Sequence, residues 1–132
     1  MSDKFDTPPI RGLGLDLVPV EAISLALRRD ADAVYAWLTE AEVEALGERA
    51  ASAETLAGRV AAKEAVVKTL GCGFNDEVSW QDVSILVDGN GAPGVHLTGG
   101  AATAAEHAGV RCILVTITHA GEYAAAAACA LT

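Results

Sequence analysis

The run Leu56-Ala57-Gly58-Arg59-Val60-Ala61-Ala62-Lys63-Glu64-Ala65-Val66-Val67-Lys68-Thr69-Leu70-Gly71 decides the fold. It holds no proline, and Leu56, Val60, Val67 and Leu70 recur at i, i+4, i+11 and i+14, the period of a helix with an apolar stripe. Gly71 and Gly73 follow, where a helix C-terminus takes its left-handed residue. The pattern predicts a helix from about residue 52 or 55 to residue 70, interrupted only by Gly58. Glu64 and Lys68 lie about 40° apart on one face of it, and Arg59 and Lys63 share another face roughly 100–140° round. One helix thus carries an acid–base pair and a separate basic ridge. An ordinary i,i+4 surface pair and a solvated basic face would account for the same residues.

Upstream, Leu13, Leu15 and Leu17 alternate with Gly12, Gly14, Asp16 and Val18, which predicts a strand over 10–18 with one apolar face and one almost bare. Pro19 can open a helix that carries Val20, Ile23, Leu25 and Leu27 and ends near Arg28-Arg29-Asp30. Thr39-Glu40-Ala41-Glu42 has the form of a capping box, so a short helix starts there and Gly47 ends it. Downstream, 78–87 and 94–97 read as strands joined across Asp88-Gly89-Asn90-Gly91, and 99–108 as an alanine-rich helix. The apolar runs 110–118 and 123–131 form a second hairpin around His119-Ala120-Gly121-Glu122. Helices first and antiparallel strands later give an α+β class, with a long helix and shorter helices packed on a mostly antiparallel sheet. Residues 1–9 read as a flexible arm and 10–132 as a single domain without repeat or linker.

The chain has 132 residues, 52% of them hydrophobic but only 5% aromatic, so alanine supplies much of the core and a buried subunit interface would help it. Nine Lys and Arg against eighteen Asp and Glu leave a net charge of −9, a field that repels phosphate backbones and anionic lipid. Nucleic acid and membrane are therefore excluded as general partners. The N-terminus has no export signal, and the longest apolar run, 123–131, is about half a bilayer span, which points to the cytoplasm. Cys72, Cys112 and Cys129 form no CxxC pair, so free thiols and no structural metal are expected. Cys112 and Cys129 alternate with apolar neighbours and read as core.

Among chemistry-bearing patterns, Gly12-Leu13-Gly14 lacks the third glycine of a dinucleotide fingerprint, since Leu17 stands there, and neither a Walker motif nor a nucleophile elbow occurs. Asp16 stands out. On a covered sheet face its carboxylate demands a cation, a metal or donors, unless it caps the helix after Pro19. His119 closes a strand, either as a satisfied turn residue or as a ligand contact.

Six segments in order carry a resemblance: Gly12-Leu13-Gly14-Leu15-Asp16-Leu17-Val18, Leu38-Thr39-Glu40-Ala41-Glu42, the run from Leu56 to Gly71, Trp80-Gln81-Asp82-Val83, Gly91-Ala92-Pro93, and Thr116-Ile117-Thr118-His119 with Glu122-Tyr123-Ala124-Ala125. Together they resemble the holo-acyl-carrier-protein synthase family, the small 4′-phosphopantetheinyl transferases. That resemblance implies the 4′-phosphopantetheinyl transferase fold, a homotrimer, and Mg²⁺-dependent transfer of phosphopantetheine from coenzyme A to a serine of an acidic apo acyl carrier protein. Adenosine 3′,5′-bisphosphate is the product released. It implies Asp16 and Glu64 as metal ligands and Lys68 as the charge that meets the phosphates, these three forming the catalytic set. Coenzyme A contacts are implied for Arg59, Lys68 and Gly71, and for Thr118 and His119 of a neighbouring chain. The acceptor of the serine proton stays open between Glu64 and a metal-bound water that it polarises.

The chain departs from the family where members carry basic residues that meet the carrier: Ala22 stands six after Asp16, and Trp37 two before Thr39. Arg28 and Arg29 are the candidates to replace them. The carrier could belong to fatty acid or to polyketide biosynthesis. A reading from a different class is a non-catalytic homologue that binds coenzyme A or carrier protein through an altered docking surface.

Overall fold

Alternation sorts the first strand, β1 (Ile10–Pro19), into a glycine side and a leucine side. The computed structural model, which describes residues 9–132, shows the glycine side covered and the leucine side open. Cβ atoms built on Gly12 and Gly14 would run into the carbonyl groups of Thr69 and Ala65. The long helix therefore lies backbone against backbone on β1, an approach that only glycine permits.

After β1 come α1 (Val20–Arg29), a 3-10 turn Ala31–Ala33, α2 (Val34–Trp37), α3 (Glu40–Leu46) and a 3-10 turn Gly47–Ala51. The long helix is α4 (Ala53–Thr69), followed by a 3-10 turn Trp80–Asp82, β2 (Val83–Val87), β3 (Pro93–Leu97), α5 (Gly99–His107), β4 (Cys112–Ala120) and β5 (Tyr123–Leu131). The class is α+β, with helices on antiparallel strands. These strands divide into two sheets rather than one, β1-β5-β4 and β2-β3. Ala124, Ala126, Ala128 and Ala130 of β5 are buried on the same face as Gly12 and Gly14, and α4 packs across them.

The capping signals are realised: Thr39 and Glu42 close a capping box on α3, Gly47 ends it at φ 59°, and Ser52 caps α4. Other expectations need correction. The strand expected over 78–87 begins only at Val83, because Ser79 and Asp82 cap each other across the 3-10 turn and divert the backbone. Cys112, read as core, is exposed, since it lies on the open face of the sheet. Asp16 does not cap α1, whose N-cap is Pro19 without any side-chain bond. Of the expected arm, residues 1–8 lie outside the described residues. The open face is apolar: Leu13, Leu15, Leu17 and Leu114 are 71%, 68%, 60% and 57% exposed. A groove of about 280 Å³ runs there between Leu13 and Leu114 over Ala127.

Candidate active site

On β1, Asp16 lies two residues beyond Gly14 and so on the helix side, opposite Ala126 of β5, itself opposite Ile117 of β4. One turn apart on α4 are Glu64 and Lys68. The Lys68 ammonium donates to Asp16 Oδ1 at 3.1 Å and to the Leu15 carbonyl at 2.9 Å. The covered carboxylate thus has the cation it demands, in a pair whose side chains are 19% (Asp16) and 47% (Lys68) exposed. Among the described residues Lys68 makes no hydrogen bond or ion pair with Glu64; it reaches across to the strand instead. Burial holds the Glu64 carboxyl above the ordinary glutamate range, and the Asp16 charge raises it further while Lys68 opposes. Two carboxylates and one ammonium therefore share one small electrostatic neighbourhood.

That donor set fits a hard divalent cation. It offers oxygen ligands with a surplus negative charge, and Mg²⁺ commonly takes only one or two carboxylates, keeping water and substrate oxygens as its other ligands. No group of three or more His, Cys, Asp or Glu side chains that could hold a metal occurs among the described residues.

The opposite side of α4 departs from the sequence reading. Lys63, expected on a solvated basic ridge, is wholly buried, because α4 is covered on nearly every side. Its ammonium donates to Glu42 Oε1 at 2.7 Å and to the Trp37 carbonyl at 2.6 Å. Glu42 also accepts from the backbone N–H groups of Thr39, at 2.8 Å, and Ile85, at 3.0 Å, tying α3, α4 and β2 to one buried carboxylate. Sequence reasoning missed this pair, although Glu42 in the capping box and Lys63 among alanines were both visible. Arg59, one turn earlier, is half-buried with its Nε unpartnered. Burial lowers its pKa, with Glu42 pulling it back up and Arg49 pushing it down.

The remaining expected residues lie apart from Asp16. His119 Nε2 lies 2.9 Å from the Glu54 carbonyl, which only accepts, so that nitrogen carries the proton. Its ring fills the space beside Gly58. Thr118, next in the strand, is on the open leucine face opposite Ala125. Gly71 follows α4 with φ 75° and open space around it. Arg28 is paired with Glu21 at 3.0 Å on the exposed end of α1, beside exposed Arg29. The structure brings together Asp16, Glu64 and Lys68 and leaves Arg59, Thr118 and His119 outside that cluster.

Comparison with known proteins bears on this arrangement. Residues 12–128 match the model of the 4′-phosphopantetheinyl transferase superfamily. A holo-[acyl-carrier-protein] synthase of Desulforudis audaxviator is 42% identical over 123 residues, spanning 92% of this chain and 93% of that protein. The crystal structure of holo-[acyl-carrier-protein] synthase from Neisseria meningitidis superposes with a TM-score of 0.85 at 25% identity, covering 93% of this chain and 99% of that one. A Bacillus anthracis synthase in complex with coenzyme A (3′,5′-ADP) gives a TM-score of 0.75 at 28% identity, covering 93% and 97%.

Proposed function

Since the chain belongs to the 4′-phosphopantetheinyl transferase superfamily, among its holo-acyl-carrier-protein synthases, we propose that Asp16, Glu64 and Lys68 are the groups with which it works on coenzyme A. The reaction moves 4′-phosphopantetheine from coenzyme A to a serine of an apo acyl carrier protein and releases adenosine 3′,5′-bisphosphate. The observation that carries the assignment is the Lys68 ammonium bound to Asp16 Oδ1, with the Glu64 carboxyl in the same neighbourhood raised in pKa by burial first and by the Asp16 charge second. None of the departures from the family pattern touches these three residues.

Asp16 and Glu64 would hold Mg²⁺, which would supply charge neutralisation at the pyrophosphate. Lys68 places a positive charge where negative charge gathers on the leaving phosphate, the electrostatic work that phosphoryl transfer chiefly needs. The half-buried Glu64, with its raised pKa, suits a group that takes up the serine proton, directly or through a water it polarises. Arg59, Lys68 and Gly71 would contact coenzyme A.

The open leucine face supports a homotrimer. Leu13, Leu15, Leu17 and Leu114 form an apolar strip that a subunit interface would cover. Thr118 lies on that same face, and it and His119 would meet the nucleotide bound by a neighbour. Arg28 and Arg29 would meet an acidic carrier of fatty acid or polyketide synthesis. No helix among the described residues is long and apolar enough to cross a membrane, and Cys72, Cys112 and Cys129 are free.

The test is intact-mass spectrometry of apo carrier proteins incubated with coenzyme A and Mg²⁺, with a chelator arm, reading a gain of about 340 Da, the mass of the group that metal-assisted phosphoryl transfer would deliver. Asp16→Ala and Glu64→Gln are expected to remove most of the gain without unfolding the protein. Full activity in either variant would overturn the metal assignment.

A further inference from the structure

The Lys68 ammonium holds the same carboxylate that a divalent cation would use, so two cations compete for one carboxylate. Coulomb repulsion sets a doubly charged ion at Asp16 against an ammonium 3.1 Å from its Oδ1. A lysine can yield such a place because its charge sits on a flexible four-carbon stem, and the Lys68 side chain is half-exposed. Resting on the assignment of Asp16 and Glu64 to the metal, we propose that Lys68 is a resident counter-ion of Asp16 which the divalent cation displaces, and that displacement frees the ammonium for the substrate phosphates.

Several observations support the exchange. Lys68 bridges Asp16 Oδ1 and the Leu15 carbonyl, so it is anchored on β1 and not on its own helix neighbour Glu64. A covered carboxylate with no cation would be costly, and Lys68 spares the fold that cost before any metal arrives. Asp16 is then charge-balanced in turn by one cation or the other.

The consequence has an unusual sign: removing a residue needed for turnover should tighten metal binding. Mn²⁺, another hard oxygen-seeking divalent ion, is titrated into the protein without coenzyme A, and free Mn²⁺ is counted by its paramagnetic resonance signal. Lys68→Met is expected to bind Mn²⁺ about fivefold more tightly than the wild type, the fold-change equivalent of a partly exposed ion pair worth about 1 kcal/mol. Lys68→Arg keeps the charge and is expected to stay near the wild type, and Asp16→Asn to lose binding. Equal or weaker binding by Lys68→Met, with Asp16→Asn still defective, would overturn the exchange and leave the metal assignment standing. Tightening by Lys68→Arg as large as that by Lys68→Met would also overturn it, because charge would not be the cause. Unchanged binding in Asp16→Asn would instead overturn the metal assignment on which the proposal rests.

Discussion

Substituting Gly14 by alanine tests whether the distance between β1 and α4 controls the chemistry. A Cβ there would lie 2.8 Å from the Ala65 carbonyl carbon and closer still to its oxygen, inside the 3.0 Å below which real Cβ atoms essentially never sit. Both obstructing atoms are backbone, so no side chain can swing away. The strand and helix must part by roughly 1 Å, in an interior packed as densely as an organic crystal. Two terms oppose each other. Replacing glycine stabilises by about 0.4–1 kcal/mol through the unfolded chain, while overpacking costs about 1–3 kcal/mol. Overpacking wins, so Tm should fall by several degrees. Activity should fall further, because Asp16 is two residues along the same strand and its partner Lys68 one turn along the same helix. A misplacement of about 1 Å at reacting groups can cost on the order of 100-fold in rate. Transfer rate by mass spectrometry, measured well below Tm beside a melting curve, separates the two effects. Gly73→Ala, with nothing within 4 Å of the new methyl, is the control and should change neither quantity. Wild-type turnover in folded Gly14→Ala would refute the reasoning.

Glu64→Gln removes a carboxylate whose folded pKa is raised, chiefly by burial. A raised carboxylate pKa means folding stability lost as pH rises from the ordinary glutamate range through the folded value, so the stability of the variant relative to the wild type should increase as pH rises above that range; a constant difference would contradict this. Lys63→Ala strands the buried Glu42 charge and should cost about 3–5 kcal/mol in denaturant unfolding, with Glu42→Leu combined with Lys63→Met recovering most of it. A double variant no better than the single one would contradict the pairing. Leu15→Glu on the open face should turn a species of about three times 13.5 kDa into monomers and remove activity, read by light scattering; active monomers would refute a site shared between chains. Arg28→Glu with Arg29→Glu should raise KM for carrier more than KM for coenzyme A, and equal effects would move the docking surface elsewhere.

Much of the fold was legible because local chemistry decides it. Thr39 and Glu42 announce a helix start, Gly47 supplies a left-handed residue, and the long helix follows from its unbroken period. Asp16 was legible as a residue in need of a cation, and Lys68 provides one. What failed depends on packing between distant segments. Alternation divides β1 into two faces without saying which is inside, and the answer lies with the close approach of the Ala65 and Thr69 carbonyls. A helical wheel places Lys63 on a face, but only the cover laid over that face by α3 and β2 turns a solvated lysine into a buried one. Ser79 and Asp82 form a capping box whose sequence signal, Ser-x-x-Asp, is short and lies beside the stronger apolar pattern that suggests a strand. Cys112 differs from its reading as core for the same reason as the leucines of β1: alternation does not say which face of the sheet is open.

In the three-stranded sheet the last strand in sequence stands in the middle, hydrogen-bonded to β1 on one side and β4 on the other. Leu13 pairs with Cys129, so the opening strand of the protein has no partner until residues more than a hundred positions later have been synthesised. Contacts that distant along the chain close slowly. Through most of translation β1 therefore has no strand of this sheet to pair with. For the same reason, loss of β5 would release β1 and β4 together and leave α4 without its floor.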